Sequence, residues 1–170
     1  MNPKVEKALN EQIHAEFFSY YLYLSVSAYF TANHLDGFAH WMRIQAQEES
    51  IHAMKLFDFL NERGGKVELL PLDAPTSEWA SPSAAVESVL NHERAISQRI
   101  DNLVDLATAE NDHATVVMLH WYVNEQVEEE ATSETLFHQV KMVESSPHGL
   151  LMIDRELAGR PAPAAESETA

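Results

Sequence analysis

Apolar residues recur three and four positions apart along four long stretches of this 170-residue chain. This spacing places them on one face of an α-helix, and polar residues fill the other faces. Asn2 and Pro3 suit the start of the first helix, and Gly64 and Gly65 suit the end of the second. A short fifth helix is expected after the fourth. The predicted helices span residues 3 to about 31, 38–63, 82 to about 109, 113 to about 144 and 147–157.

The lengths of the connections predict how these helices are arranged. Short turns at residues 32–37 and 110–112 make the first and second helices antiparallel, and likewise the third and fourth. The connection at residues 66–81 is long for a compact domain, contains prolines and has brief extended character in its first half. It can run the length of the bundle and leave the second and third helices parallel. We therefore predict an all-α four-helix bundle with a long crossover loop and a short fifth C-terminal helix in residues 1–158, followed by a disordered tail at residues 159–170.

Four carboxylates interrupt the apolar stripes, one in each long helix. Glu16 lies on the first stripe and Glu49 on the second, while Glu93 and Glu129 lie on the third and fourth. His52 follows Glu49 by one helical turn, so an imidazole and a carboxylate share one helix face. A single acid of this kind is explained by a slightly rotated, solvent-facing helix. Four acids that converge in a core are costly unless a multivalent cation binds among them.

Carboxylate and imidazole groups suit iron, and four-helix bundles build di-iron centres from such residues. An isolated histidine on an apolar face is more often a core residue, but His52 has Glu49 beside it. Tyr23 lies seven residues beyond Glu16 on the same face. It is either a hydrogen-bond partner or electron donor of the site, or a plain core aromatic. The predicted ligands are Glu16, Glu49 and His52 for one metal ion, and Glu49, Glu93 and Glu129, with Gln126 nearby, for the other.

Composition narrows the partners that fit this chain. Its formal net charge of -16 disfavours nucleic acid as a main partner, because phosphates would be repelled. It has no cysteine, which excludes disulfides, thiolate zinc sites and thiol nucleophiles. A signal-peptide-like N-terminus and a run of about 18 apolar residues are both absent, so we expect no membrane association. A cytoplasmic location fits these features.

Four stretches around the candidate ligands carry a family resemblance in combination. They are NEQIHAEFFSYYLY, AQEESIHAMKLFDFL, LNHERAISQRI and WYVNEQVEEE. Through them the chain resembles the ferritin family, and specifically its non-haem bacterial members, over about residues 3–157. The resemblance implies a ferritin-like four-helix bundle with a di-iron centre. The iron ligands that it implies are Glu16, Glu49 and His52 for the first iron, and Glu49, Glu93 and Glu129, with Gln126 beside them, for the second.

The resemblance carries two further expectations about bound groups. Bacterial members have a third iron site that faces the cavity, and Glu48, Glu125 and Glu128 match its pattern together with Glu129. The alternative for these acids is a solvated acidic face. The haem-containing bacterioferritins carry a methionine where this chain has Ser50, and a second Glu-x-x-His motif on the fourth helix that this chain lacks. We therefore expect no haem.

The function that these observations favour is iron storage with ferroxidase activity. Fe(II) would be oxidised to Fe(III) by dioxygen or hydrogen peroxide and stored as ferric mineral in a homo-oligomeric shell. The resemblance implies a 24-mer. Leu22, Val26 and Tyr29 are apolar positions outside the core stripe, and we expect them to remain available for contacts between subunits.

Three other functions are weighed against this one. A di-iron oxygenase or peroxidase on the same bundle would need a substrate pocket at the metals. A small DNA-protecting relative of the ferritins would place its ligands across a dimer interface. A scaffold bundle without metal chemistry would leave four buried acids unexplained.

Overall fold

The computed structural model describes residues 1–163, and these form five helices and no strand. The predicted all-α bundle with a long crossover and a short fifth helix is confirmed. The extended stretch expected early in the crossover forms no sheet in the described chain, because no second strand pairs with it. Of the predicted tail, residues 164–170 lie outside the described residues. The helices are α1 (Pro3–Ala32), α2 (Asp36–Glu62), α3 (Pro82–Ala109), α4 (His113–Met142) and α5 (Pro147–Leu157).

Four of the five helices begin at a residue whose own side chain caps the first turn. Asn2, Ser81, Asp112 and Ser146 each accept a hydrogen bond from a backbone N–H two or three residues ahead. Such caps satisfy N–H groups that have no partner within the helix. Local sequence therefore explains the starts of α1, α3, α4 and α5.

The start of α2 depends on a residue from the other end of the chain. The Oδ1 atom of Asp154, in α5, accepts hydrogen bonds from the N–H groups of Gly37 (2.8 Å) and Phe38 (3.0 Å). A Cβ atom at position 37 would lie 1.6 Å from the backbone oxygen of Asp154, so only glycine permits this approach. This cap explains why α2 begins at Asp36, inside the turn predicted at residues 32–37.

Two apolar clusters fill the bundle, one toward each end. The cluster beside α5 combines the later part of α1 and α4 with the early part of α2 and α3, and includes Phe30 and Met42. The opposite cluster combines the remaining parts and includes Leu9, Leu60 and Leu119. This distribution makes α1 antiparallel to α2 and makes α2 parallel to α3, as predicted. None of the helices within residues 1–163 combines the length and sustained hydrophobicity of a transmembrane segment.

The crossover connection, residues 63–81, follows α1 along its length. The Asn10 side chain donates a hydrogen bond to the backbone oxygen of Lys66 (2.9 Å). Near the other end of α1, the Ser25 hydroxyl donates to the backbone oxygen of Thr76 (2.7 Å). The crossover therefore covers a face of α1 that α2 and α3 do not.

One expectation about α1 is wrong. Leu22 and Val26 are only 8% and 0% exposed in the single chain, so they are core residues rather than positions left for a neighbouring subunit. Tyr29 is partly buried and packs edge-on against Trp79 of the crossover, with ring centroids 5.2 Å apart. A prediction that assumes one apolar stripe underestimates the number of buried residues in a helix that packs on several sides.

Candidate metal centre

A layer of polar side chains separates the two apolar clusters. On α1 it lies between Ile13 and Tyr23, and on α2 between Ala46 and Leu56. Its members are at most 8% exposed, although most of them are acids. The six predicted ligands of the paired site therefore lie in one buried layer within a single chain. They are Glu16 from α1, Glu49 and His52 from α2, Glu93 from α3, and Gln126 and Glu129 from α4.

The half of this layer on α1 and α2 is the more tightly clustered. One ligand atom from each of Glu16, Glu49 and His52 lies within 4.8 Å of the other two. The Nδ1 atom of His52 is 3.5 Å from a carboxylate oxygen of Glu49. The Tyr122 hydroxyl donates to the backbone oxygen of His52 (2.6 Å), which fixes the helix turn that carries the imidazole. These three side chains have the donor types and the spacing to share one metal ion.

The half on α3 and α4 is held by hydrogen bonds to its carboxylates. The Tyr23 hydroxyl donates to one oxygen of Glu93. The Gln126 amide donates to the other oxygen of Glu93 at 3.2 Å. Glu129 accepts from the Gln45 amide at 2.7 Å. Within residues 1–163 these acids do not join a second group as tight as the one on α1 and α2.

Burial and mutual repulsion determine the protonation of this layer. Burial, followed by the charges of Glu93, Glu16 and Glu129, raises the pKa of Glu49 well above its ordinary value. Burial and the charge of Glu129 raise the pKa of Glu93 to about 8, although its bonds from Tyr23 and Gln126 act in the opposite direction. Without metal, the layer therefore retains protons at neutral pH instead of four full negative charges.

Tyr23 is a full member of the site's hydrogen-bond network. It is 0% exposed and its hydroxyl contacts Glu93 directly, which places its ring beside the α3 half of the layer. Burial and then the neighbouring charge of Glu93 raise the pKa of the Tyr23 hydroxyl, so it stays a neutral donor. His92 packs edge-on against the Tyr23 ring, with centroids 5.8 Å apart, and bonds to Ser19.

The three outer acids predicted for a third site lie at the edge of the buried layer. Glu48 and Glu125 are half-buried and Glu128 is exposed. Burial raises the pKa of Glu48, with the charges of Glu129 and Glu125 acting in the same direction and Arg160 acting against them. Burial also raises the pKa of Glu125, with smaller effects of the same sign from Glu128 and Glu129. Glu129 is thus electrostatically linked to both the buried layer and the outer acids.

Two glutamines and two arginines belong to the site but were not predicted. Gln12 is 2% exposed and donates to Glu16 (2.8 Å), and its amide oxygen accepts from Arg99 (3.2 Å). Gln45 is 0% exposed, donates to Glu129, and its amide oxygen accepts from Arg160. The available signal was spacing, since each glutamine lies one helical turn before a predicted ligand.

Comparisons with known proteins identify the family to which this fold belongs. Residues 6–143 match the Ferritin-like domain family. The chain is 42% identical over 160 residues to a bacterial non-heme ferritin of Bacteroides fragilis, covering 94% of this chain and 99% of the relative. It is 35% identical to a bacterial non-heme ferritin of Staphylococcus saprophyticus, covering 94% of this chain and 96% of the relative.

Solved structures give the same result. An open-pore ferritin from the hyperthermophilic archaeon Archaeoglobus fulgidus superposes with a TM-score of 0.94 at 48% identity, covering 95% of this chain and 99% of that chain. A closed form of that ferritin, engineered by site-directed mutagenesis, also superposes with a TM-score of 0.94 at 47% identity, covering 96% and 99% of the two chains. The resemblance predicted from the sequence is thereby confirmed, and the chain belongs to the ferritin family.

Proposed function

We propose that this chain is an iron-storage ferroxidase that oxidises Fe(II) to Fe(III) at its buried polar layer and keeps the ferric product within a multi-subunit shell. The observation that carries the proposal is the convergence of four carboxylates, an imidazole and an amide from four helices in one layer. Apolar clusters close this layer off at both ends of the bundle. Iron is here the substrate, and the protein supplies the ligands.

The geometry supports a division of the ligands between two Fe(II) ions. Glu16 and His52 form the tight three-residue group with Glu49. The charges of Glu93 and Glu129 also act on Glu49, so this carboxylate is close to both halves of the layer. Glu49 is therefore the carboxylate best placed to bridge the two ions. Glu93 and Glu129, with Gln126 beside them, complete the second site.

When Fe(II) binds, it displaces protons from the buried carboxyl groups. The raised pKa values of Glu49 and Glu93 mean that both groups must release protons when Fe(II) binds. Each of the two Fe(II) ions then gives up one electron to the oxidant. When the oxidant is dioxygen, it takes up both electrons and two protons and leaves as hydrogen peroxide. Tyr23 holds Glu93 in place through its hydroxyl group.

The outer acids extend the same chemistry toward the surface. Glu48, Glu125 and Glu128 are the proposed ligands of a third iron, which shares Glu129 with the paired site. The electrostatic influence of Glu129 on both Glu48 and Glu125 supports this shared role. In this arrangement Glu129 passes ferric iron from the buried pair to the outer acids.

Assembly into a homo-oligomeric shell, as a 24-mer, is supported by apolar side chains that the single chain leaves exposed. Leu69, Leu70 and Leu72 of the crossover are 70%, 44% and 41% exposed, and they line a groove together with Ile13 and Phe17 of α1. Such a patch is unusual for a protein that functions as a monomer. A neighbouring subunit would cover it.

The proposal is tested by adding Fe(II) in air to metal-stripped protein while ferric absorbance is recorded, beside light scattering on the same sample. We expect fast, protein-dependent oxidation by a particle many times larger than the 19.2 kDa chain. Prior loading with Zn(II), which occupies such ligands without redox chemistry, should block the fast phase. A stable monomer, or oxidation no faster than in buffer, would overturn the proposal. Oxidation that becomes fast only with an added organic substrate would favour an oxygenase or peroxidase instead.

A further inference from the structure

The segment after α5 folds back onto α2 and is anchored there by Arg160. The backbone oxygen of Arg160 accepts a hydrogen bond from His40 Nε2 (2.8 Å). Its guanidinium carbon lies 5.1 Å from the centroid of the Trp41 ring, within the range of a cation–π contact. Both the backbone and the side chain of this residue are therefore held against α2.

The same guanidinium binds the edge of the candidate metal centre. One of its terminal nitrogens donates to both carboxylate oxygens of Glu48, at 3.1 and 2.8 Å. The other donates to the amide oxygen of Gln45, which is 0% exposed. Since the Gln45 oxygen is taken, its NH₂ group must face Glu129, to which it donates at 2.7 Å. Arg160 thus fixes one predicted ligand directly and another through an amide.

A second arginine on the opposite side of the layer shows what is particular about Arg160. Arg99 binds the oxygen of Gln12, and Gln12 donates to Glu16, so this amide is oriented in the same way. The remaining partner of Arg99 is the backbone oxygen of Glu11, which is neutral. Arg160 instead pairs with the carboxylate of Glu48, so its positive charge lies beside one of the proposed ligands of the third iron.

We propose that Arg160 is the resident cation of the outer acids: it occupies Glu48 and aims Gln45 at Glu129 until a metal ion displaces it from Glu48. This inference rests on the proposed function, since it concerns the third site of that function. Arg160 is accordingly a positioning residue that sets the metal concentration at which the outer acids fill. The paired iron site in the buried layer fills first. Within the described chain, no arginine is in direct contact with the ligands of that site.

The test uses Zn(II), which needs no oxidation, in calorimetric titrations of the assembled, metal-stripped protein. We expect a tight class of sites from the buried pair and a weaker class from the outer acids. In Arg160→Gln the weaker class should bind about 10-fold more tightly, because a charge-assisted bond no longer competes. The tight class should change much less, because Arg160 reaches it only through Gln45 and Glu129. Arg160→Lys, which keeps the charge, should stay near the parent protein.

Arg155→Gln is the matched control, since Arg155 is exposed on α5 and its loss changes net charge equally. Hydrogen exchange at residues 158–163 supplies an independent measurement. It should speed up in the parent protein when the weaker class is filled and should already be fast in Arg160→Gln. A weaker class of equal affinity in the Arg160→Gln and Arg155→Gln variants would overturn the proposal. So would unchanged exchange on filling, or the absence of a weaker class in every variant. If the Zn(II) titrations and the hydrogen exchange give the expected results but the protein does not oxidise Fe(II), only the proposed function is contradicted.

Discussion

The buried acids and the outer acids are neighbours in sequence but differ in chemistry. Glu48 precedes Glu49 on α2, and Glu128 precedes Glu129 on α4, yet a step of one residue turns about 100° around a helix. That turn places Glu49 and Glu129 in the layer between the apolar clusters and leaves Glu48 and Glu128 at its edge. Burial and neighbouring charges raise the pKa of Glu49, whereas Glu48 has a guanidinium partner and Glu128 is exposed. Position on the helix, rather than residue type, therefore decides which acids lie in the buried layer.

The largest effect should come from removing Glu49, the carboxylate proposed to bridge the two irons. Glu49→Ala should slow the fast phase of ferrous oxidation by about 100-fold or more, since loss of even an outer partner of a metal ligand costs up to that much. Stopped-flow absorbance after mixing with Fe(II) in air measures the rate. Particle size should be unchanged. Glu87→Ala, an exposed acid on α3, is the control. Similar rates in the two variants would show that the buried layer is not the site of oxidation.

The protons held by the buried acids should make the metal-free protein less stable at higher pH. The pKa of Glu93 is raised from 4.5 to about 8 in the folded protein, so between these values the folded state binds a proton that the unfolded state releases. The contribution of this proton to the free energy of unfolding is then fully present below the lower of the two pKa values. It is lost as the pH rises toward 8, by about 1.4 kcal/mol per pH unit for each such proton. Thermal denaturation of metal-stripped protein from pH 5 to pH 8 measures this loss.

Glu93→Gln should make that pH dependence shallower, because the amide does not titrate. Glu87→Gln, at an exposed position, should keep the slope of the parent protein. If the stability of the metal-free protein instead rises from pH 5 to pH 8, the buried acids are ionised. The buried and outer acids would then no longer differ in protonation.

Several features of the site and fold could be predicted from sequence because they depend on local periodicity. An acid on an apolar stripe is a strong departure from the helical pattern, so Glu16 and its counterparts stood out. The cap on α2 and the contact of Arg160 with Gln45 could not be predicted in the same way. Their partners lie 117 and 115 residues away, and no local pattern indicates the pairing. The burial of Leu22 was missed because the apolar cluster around it draws residues from all five helices, which is also a long-range effect.

A smaller effect is expected where a hydrogen bond supports a ligand. Tyr23→Phe removes the donor to Glu93 without leaving a cavity, and should slow the fast phase of oxidation by about 10-fold. Tyr21→Phe makes the same chemical change on a side chain that is 44% exposed. Equal rates in these two variants would indicate that Tyr23 is a plain core aromatic. Rapid-mixing absorbance distinguishes the outcomes.

The smallest effect on rate, and the sharpest test of the outer acids, is expected for Glu128→Ala. The first burst of oxidation should survive, because Glu128 is exposed and contacts none of the buried ligands in the hydrogen bonds described above. The number of irons oxidised per dioxygen and the recovery between additions should change. Repeated additions of Fe(II) with an oxygen electrode measure both quantities. Glu130→Ala, at the last acid of the same run, serves as the comparison. Identical stoichiometry in both variants would leave Glu128 as part of a solvated face.

The cap that Asp154 places on α2 also has a consequence for the nascent chain. Gly37 emerges from the ribosome long before Asp154, which is translated 117 residues later. The hairpin of α1 and α2 can form early, but the first turn of α2 lacks this acceptor for its free N–H groups until Asp154 has been translated. A chain that terminates prematurely before α5 would thus retain every predicted iron ligand and still have a frayed second helix.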